Sequence, residues 1–266
     1  MKAYDFSYGE NNRRLSDFGF IICNFGDKGL DTVSNGAVVS FNSVSVQNGA
    51  QHYLTSSTYE DCLECTIQVC RNPCVNSNME IDQTTFREMT RWLCRKKFLK
   101  FKPLSEDYID LYHEAMINVS RIELDGKLVG LELEIRTNCP FSLKEKKVIK
   151  IENTEQDGKH SINDVSHEEG YIYPLTEITI SEDGDLNIYN AIEDRNTYIA
   201  NCKSGEVITM DYPVIQSSDS SHNIQNDFNW NFFRVANTFE NSRNDLTISL
   251  PCSIKVEYSP IVKVGL

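Results

Sequence analysis

Along much of this chain apolar and polar residues alternate one for one. In VGLELEIRTN, residues 129–138, Val129, Leu131, Leu133 and Ile135 interleave with Gly130, Glu132, Glu134 and Arg136, the period of two that a strand with one wet face produces. FGFIICNFG (18–26) and AVVSFNSVSVQNG (37–49) are rich in β-branched and aromatic residues and end in Gly or Asn-Gly, so they predict strands closed by turns. Further short strands are expected at LTEITIS, at DLNIYN after the turn Glu182-Asp183-Gly184, and at GEVITMD (205–211), DLTISLP (245–251) and CSIKVEYSP (252–260). Short strands at regular intervals predict a β-sandwich or jelly roll for the second half.

One segment has a different period. In DQTTFREMTRWLCRKKF, residues 82–98, Phe86, Met89, Leu93 and Phe98 follow a helical stripe, Thr85 and Glu88 have capping-box spacing, and Arg and Lys crowd the last turn. A single helix over 82–98, packed on a sheet, is expected. From 144 to 170 the chain becomes polar and charged, KEKKVIKIENTEQDGKHSINDVSHEEG. This predicts an interdomain connection and divides the chain into domains 1–145 and 146–266.

Composition then narrows the function. At 266 residues the chain can bury its cores without staples. Its net charge of -13 and pI near 4.9 would repel a nucleic-acid backbone or an anionic membrane. The opening MKAYDFSYGENNRRL lacks the apolar core of a signal peptide, and no run approaches the roughly 18 apolar residues of a spanning helix. A protein folded in a reducing cytoplasm is expected, where standing disulfides are unusual.

Four of the nine cysteines lie in DCLECTIQVCRNPC, with the spacing Cys62-x2-Cys65-x4-Cys70-x3-Cys74. The first pair would fit half a zinc knuckle. The intervening LECTIQV is strand-like, however, which puts Cys65, Ile67 and Val69 on one face and Cys62, Glu64, Thr66, Gln68 and Cys70 on the other. Small buried or edge side chains are the preferred reading over a metal site. His52, His113, His160, His167 and His222 are scattered and stand in no motif that fixes a role, so no catalytic, cofactor-binding or metal-ligating residue is assigned. In NDFNWNFFRVANTFEN (226–241) Phe228, Trp230 and Phe232 occupy alternate positions with Phe233 opposite. A core or interface strand is favoured there. The rival reading is a carbohydrate-binding sandwich, with Tyr189 and Trp230 as stacking candidates for a sugar or partner surface.

The order of these features resembles the distal tail protein family of long-tailed, siphovirus-like bacteriophages and prophages. The resemblance runs through DFGFIICNFG (17–26), YLTSSTYEDCLECTIQVCRNP (53–73) with its Arg-Asn-Pro turn, and the helix TTFREMTRWLCRKKFLKF (84–101). It continues through YPLTEITISEDGDLNIYN (173–190), GEVITMD, NDFNWNFFRVANTFENSRNDLTIS (226–249) and a closing IKVEYSP. One departure is ENSRNDL, where the family commonly has a Gly-Asn turn.

The resemblance implies a mainly β fold. An N-terminal ring-forming β domain with one helix and a projecting β arm would precede a galectin-like β-sandwich. It also implies a non-enzymatic structural protein at the distal end of the virion tail, assembled in the host cytoplasm. There a hexameric ring of the chain would join the tail-tube protein to the tail-associated hub protein. Its outward domains would offer a docking place for receptor-binding or baseplate proteins, and DNA would pass the lumen without specific binding. The interface residues expected on this reading are Tyr53, Leu54 and Tyr59 for the arm, and Phe86, Trp92 and Leu93 for the helix bracing the ring domain.

Overall fold

The computed structural model describes residues 4–26, 39–46, 51–59, 62–238 and 240–264, with only the backbone described at 45, 46 and 51–55. It is mainly β, and the chain divides into two compact units, Met1–Leu143 with Lys263–Leu266, and Lys144–Val262.

The first unit contains β1 (Asp5–Tyr8), β2 (Arg13–Arg14), β3 (Phe20–Cys23), β4 (Val39–Val46), β5 (Gln51–Tyr59), β6 (Glu64–Arg71), α1 (Gln83–Leu93), β7 (Leu99–Leu104), β8 (Leu111–Leu124) and β9 (Lys127–Thr137). A short strand, β10 (Ser142–Lys144), follows. The main sheet runs β2-β1-β7-β8-β9-β6-β3. Alternation makes its faces: Leu131, Leu133 and Ile135 of β9 are fully buried, while Val129 is half-buried beside a register shift at Ile122/Glu123 of β8. Against this apolar face lie Met89, Trp92 and Leu93 of α1.

The helix is shorter than its sequence stripe predicts, ending at Leu93 rather than 98. An apolar side chain one turn beyond Leu93 would be needed at 96 or 97, and both are Lys. Phe98 is exposed accordingly. The cap also differs from the Thr85–Glu88 box expected: Asp82 is the N-cap, accepting from Thr85 N–H at 2.9 Å and pairing with Arg71 at 2.6 Å. Hydrogen bonds from Thr85, followed by the Arg71 charge, hold the Asp82 carboxyl down near 2 against an ordinary 3.8. Because the folded value is depressed, the cap's contribution is complete above 3.8 and is lost as pH falls through about 2. Asp82→Ala should lower the melting temperature at neutral pH, and the gap from the parent protein should close between pH 3.8 and about 2. A gap unchanged over that range in a pH series of thermal melts would contradict the cap.

The second unit contains β11 (Lys147–Asn153), β12 (Gly158–Asn163), β13 (Gly170–Ile172), β14 (Leu175–Ile180), β15 (Gly184–Asn190), β16 (Arg195–Cys202), β17 (Val207–Asp211) and β18 (Val214–Ser217). After them come α2 (Ile224–Asp227), β19 (Val235–Asn237), β20 (Arg243–Ile248), β21 (Cys252–Tyr258) and β22 (Ile261–Val262). Two antiparallel sheets, β11-β21-β14-β17-β18 and β12-β20-β15-β16, bury their inner faces against each other, with a small β13–β19 pair beside them. Ile178, Ile208, Ile254 and Val256 of the first sheet share this core with Leu186, Ile188, Ile199 and Ile248 of the second.

The charged stretch expected to link domains is corrected here: it forms β11 and β12, each an edge strand of one sheet. Edge strands carry charges that discourage further pairing. Ile151 and Ile162 still point into the core, but the flanking Lys and Glu hide that pattern. The segment 226–241 also departs from the expected strand. Its start closes α2, and Phe228, Phe232 and Phe233 are all buried, so the expected opposition of Phe233 to the other two is absent. Among the described residues no helix is long and apolar enough to cross a membrane.

Candidate interaction surfaces

The first surface is the ribbon β4–β5, whose two strands pair with each other and, among the described residues, join no larger sheet. Its register runs from Val39↔Tyr59 to Val46↔Gln51, and the partner sequence skips Thr55 after Asn42↔Ser56. Strict alternation in β4 therefore places Phe41 and Val44 on opposite faces. Both are exposed, Phe41 at 68% and Val44 at 52%. An isolated two-stranded ribbon is marginal in water, so a ribbon with apolar groups open on both faces calls for a covering partner. Tyr53 and Leu54 sit opposite Val44 and Ser43 on this ribbon, but their side chains lie outside the described residues. Tyr59 is half-buried at its base, edge-on to Phe141 at 5.0 Å.

The helix candidates lie elsewhere. Trp92 is buried, stacked on Phe18 (4.8 Å) and Phe6 (5.8 Å), and its Nε1–H donates to Tyr8 O at 3.0 Å. Leu93 is fully buried and Phe86 is half-buried under the Arg121 guanidinium at 4.4 Å. Trp92 and Leu93 belong to the core of their own unit, and Phe86 packs against its edge.

In the second unit, Trp230 is exposed at 55% with φ 60°, while Tyr189 is half-buried and donates to Asp194 Oδ1 at 3.0 Å. These two candidates make no ring contact with each other among the described aromatic pairs. A different row, missed in the sequence, does form: Tyr171 meets Tyr173 (5.5 Å), Tyr173 stacks on Tyr212 (4.2 Å), and Tyr212 stands edge-on to Phe232 (5.3 Å). Trp230 lies at 6.4 Å from Phe232 at the end of this row. Arg234 covers Tyr171 at 3.9 Å and is fixed by an ion pair with Glu193, which raises its pKa. Tyr171 and Tyr212 remain more than half exposed. Only the spacing of YIYP offered a sequence signal, since the rest comes from separate segments.

The cysteine cluster follows the strand alternation. Ile67 and Val69 are buried with Cys65 half-buried on the same face, and Cys70 lies on the opposite face. Burial pushes the Cys65 thiol up to about 11. Burial first, and then the neighbouring Cys70, push Cys23 up to about 12. Such thiols stay protonated at neutral pH and are poor nucleophiles. Among the described residues no group of three or more His, Cys, Asp or Glu converges on a metal-sized site. Burial likewise lowers His113 to about 4, and its Nε2 lies 3.0 Å from Ser142 Oγ.

Residues 1–139 match the model of a phage tail protein N-terminal domain, and residues 141–258 match that of a phage tail C-terminal domain. The chain belongs to this family of phage tail proteins. Its fold is similar to the crystal structure of the Dit protein of phage SPP1, described as a paradigm of the hub adsorption apparatus in phages infecting Gram-positive bacteria. The two share a TM-score of 0.65 at 8% identity, over 97% of this chain and 99% of that one. No match is found among curated proteins. The resemblance to distal tail proteins, drawn from the order of strands, helix and turns, is borne out. The protein is thus a structural component of a phage tail.

Proposed function

We propose that this tail protein is a non-enzymatic ring component at the distal end of the tail. In this reading about six copies associate head-to-tail through the first unit, joining the tail-tube protein to the hub protein around a lumen that DNA traverses. The second unit acts as a docking domain for receptor-binding or baseplate proteins, with the Tyr171–Tyr173–Tyr212 row and Trp230 as the contact surface. The observation that carries the reading is the β4–β5 ribbon, paired with no other strand among the described residues, with Phe41 and Val44 exposed on its two faces. A neighbouring copy would cover such an arm, and a closed ring of heterologous contacts leaves none uncovered.

Replacing the arm, residues 39–59, by a short Gly-Ser turn tests this. Sedimentation should show the assembled species lost, while circular dichroism and thermal melting of the remaining chain stay close to the parent's. Unchanged assembly without the arm would remove the ribbon from the interface.

A further inference from the structure

A cleft of about 530 Å³ opens in the first unit between the β1–β2 turn, the end of α1 and the start of β7. In a chain of net charge -13 its lining is basic: Arg13, Arg91, Arg95 and Lys97 face it, over a floor that includes Tyr8 and Trp92. Two carboxylates also line it, Glu10 and Glu88. Glu10 is taken by Lys97 at 3.0 Å. The three guanidiniums have no ion pair among the described residues. The Arg13 guanidinium lies over the Phe18 ring, 4.0 Å from its centre, and Arg95 Nε donates to Trp92 O at 3.4 Å. Both arrangements hold a guanidinium in place and leave N–H groups for a carboxylate, which a planar fork binds well.

The complementary feature stands at the other end of the same strand. After Leu104 the chain makes a single 3-10 turn, Glu106–Tyr108. Tyr108 is buried and anchors it, while Glu106, Asp107 and Asp110 are exposed and have no ion pair among the described residues. Ile109 between them is 67% exposed. The register Tyr8↔Phe101 and Asp5↔Leu104 puts the cleft at the start of β7 and this loop at its end, about 17 Å apart along the strand. The loop of one chain therefore does not fill that chain's own cleft. Two complementary patches at opposite ends of one rigid strand are what a head-to-tail contact requires.

We propose that the arginine cleft of one copy receives the acidic loop 105–110 of the next copy, with Glu106, Asp107 and Asp110 on the guanidiniums and Ile109 toward the apolar floor. This rests on the ring reading and names a second contact for it, separate from the arm.

Charge reversal tests it in the full chain. One variant carries R91E and R95E, and a second carries E106R, D107R and D110R. Each should raise the concentration for half-assembly by about tenfold or more, with the folded signal retained in circular dichroism. An equimolar mixture of the two should recover assembly, because alternating copies match charge at every junction, and the recovered species should weaken with salt. Mere damage to either surface would not be repaired by mixing. If the parent chain assembles and the reversals leave it unchanged, or if mixing restores nothing, this contact is overturned while the ring stands. A parent chain that stays single at every concentration would overturn the ring and this contact together.

Discussion

Trp92→Ala is expected to destabilise the first unit by roughly 3–5 kcal/mol, the range for removing a large buried aromatic. Trp92 is 7% exposed and holds three elements together. It stacks on Phe18 at 4.8 Å and on Phe6 at 5.8 Å, and meets the edge of Tyr8 at 6.4 Å. Its indole N–H also satisfies Tyr8 O. Alanine opens a cavity and removes the hydrogen bond to Tyr8 O at once. Trp92→Phe should retain much of the stacking and lose chiefly the hydrogen bond, about 1–3 kcal/mol. Amide exchange gives a local readout: protection in β1, β7 and α1 should fall, while β14 and β15 in the second unit keep theirs. Full protection of β1 in Trp92→Ala would contradict this role.

Asn244→Leu should have a comparable effect in the second unit, roughly 3–5 kcal/mol, because it orphans several buried polar groups together. Asn244 is fully buried. Its Oδ1 accepts from Asn190 Nδ2 and from Ala236 N, both at 2.8 Å, and its Nδ2 donates to Ala236 O at 2.9 Å. One amide thus ties β15, β19 and β20 together, and leucine has similar bulk but none of these bonds. Denaturant unfolding should show an earlier midpoint, and exchange should accelerate in those three strands. A leucine variant as stable as the parent would mean that the network contributes nothing net.

The legible parts of this chain were those in which one physical pattern acted alone. Leu131, Leu133 and Ile135 alternate because one face of β9 meets the core, and their positions could be read directly. The helix was readable from Met89 and Leu93, but its ends depend on a cap at Asp82 and on lysines at 96 and 97. β11 and β12 resembled a linker because edge strands carry charge for a reason unrelated to their inward Ile151 and Ile162. In 226–241 the alternation of Phe228, Trp230 and Phe232 suggested a strand, yet α2 and the positive φ of Trp230 break it. The aromatic row and the arginine cleft were hidden for a simpler reason. Tyr171, Tyr212 and Phe232, like Arg13 and Arg91, are distant in sequence and meet only through tertiary packing.

The central claim is that copies of this tail protein close into a ring. The most direct measurement is molar mass in solution across a wide concentration range, with negative-stain imaging of the largest species. The account predicts a discrete species near six times the 30.4 kDa chain, seen as a ring with an open centre. A mass that stays at one chain at every concentration, or grows without limit into open filaments, would contradict it.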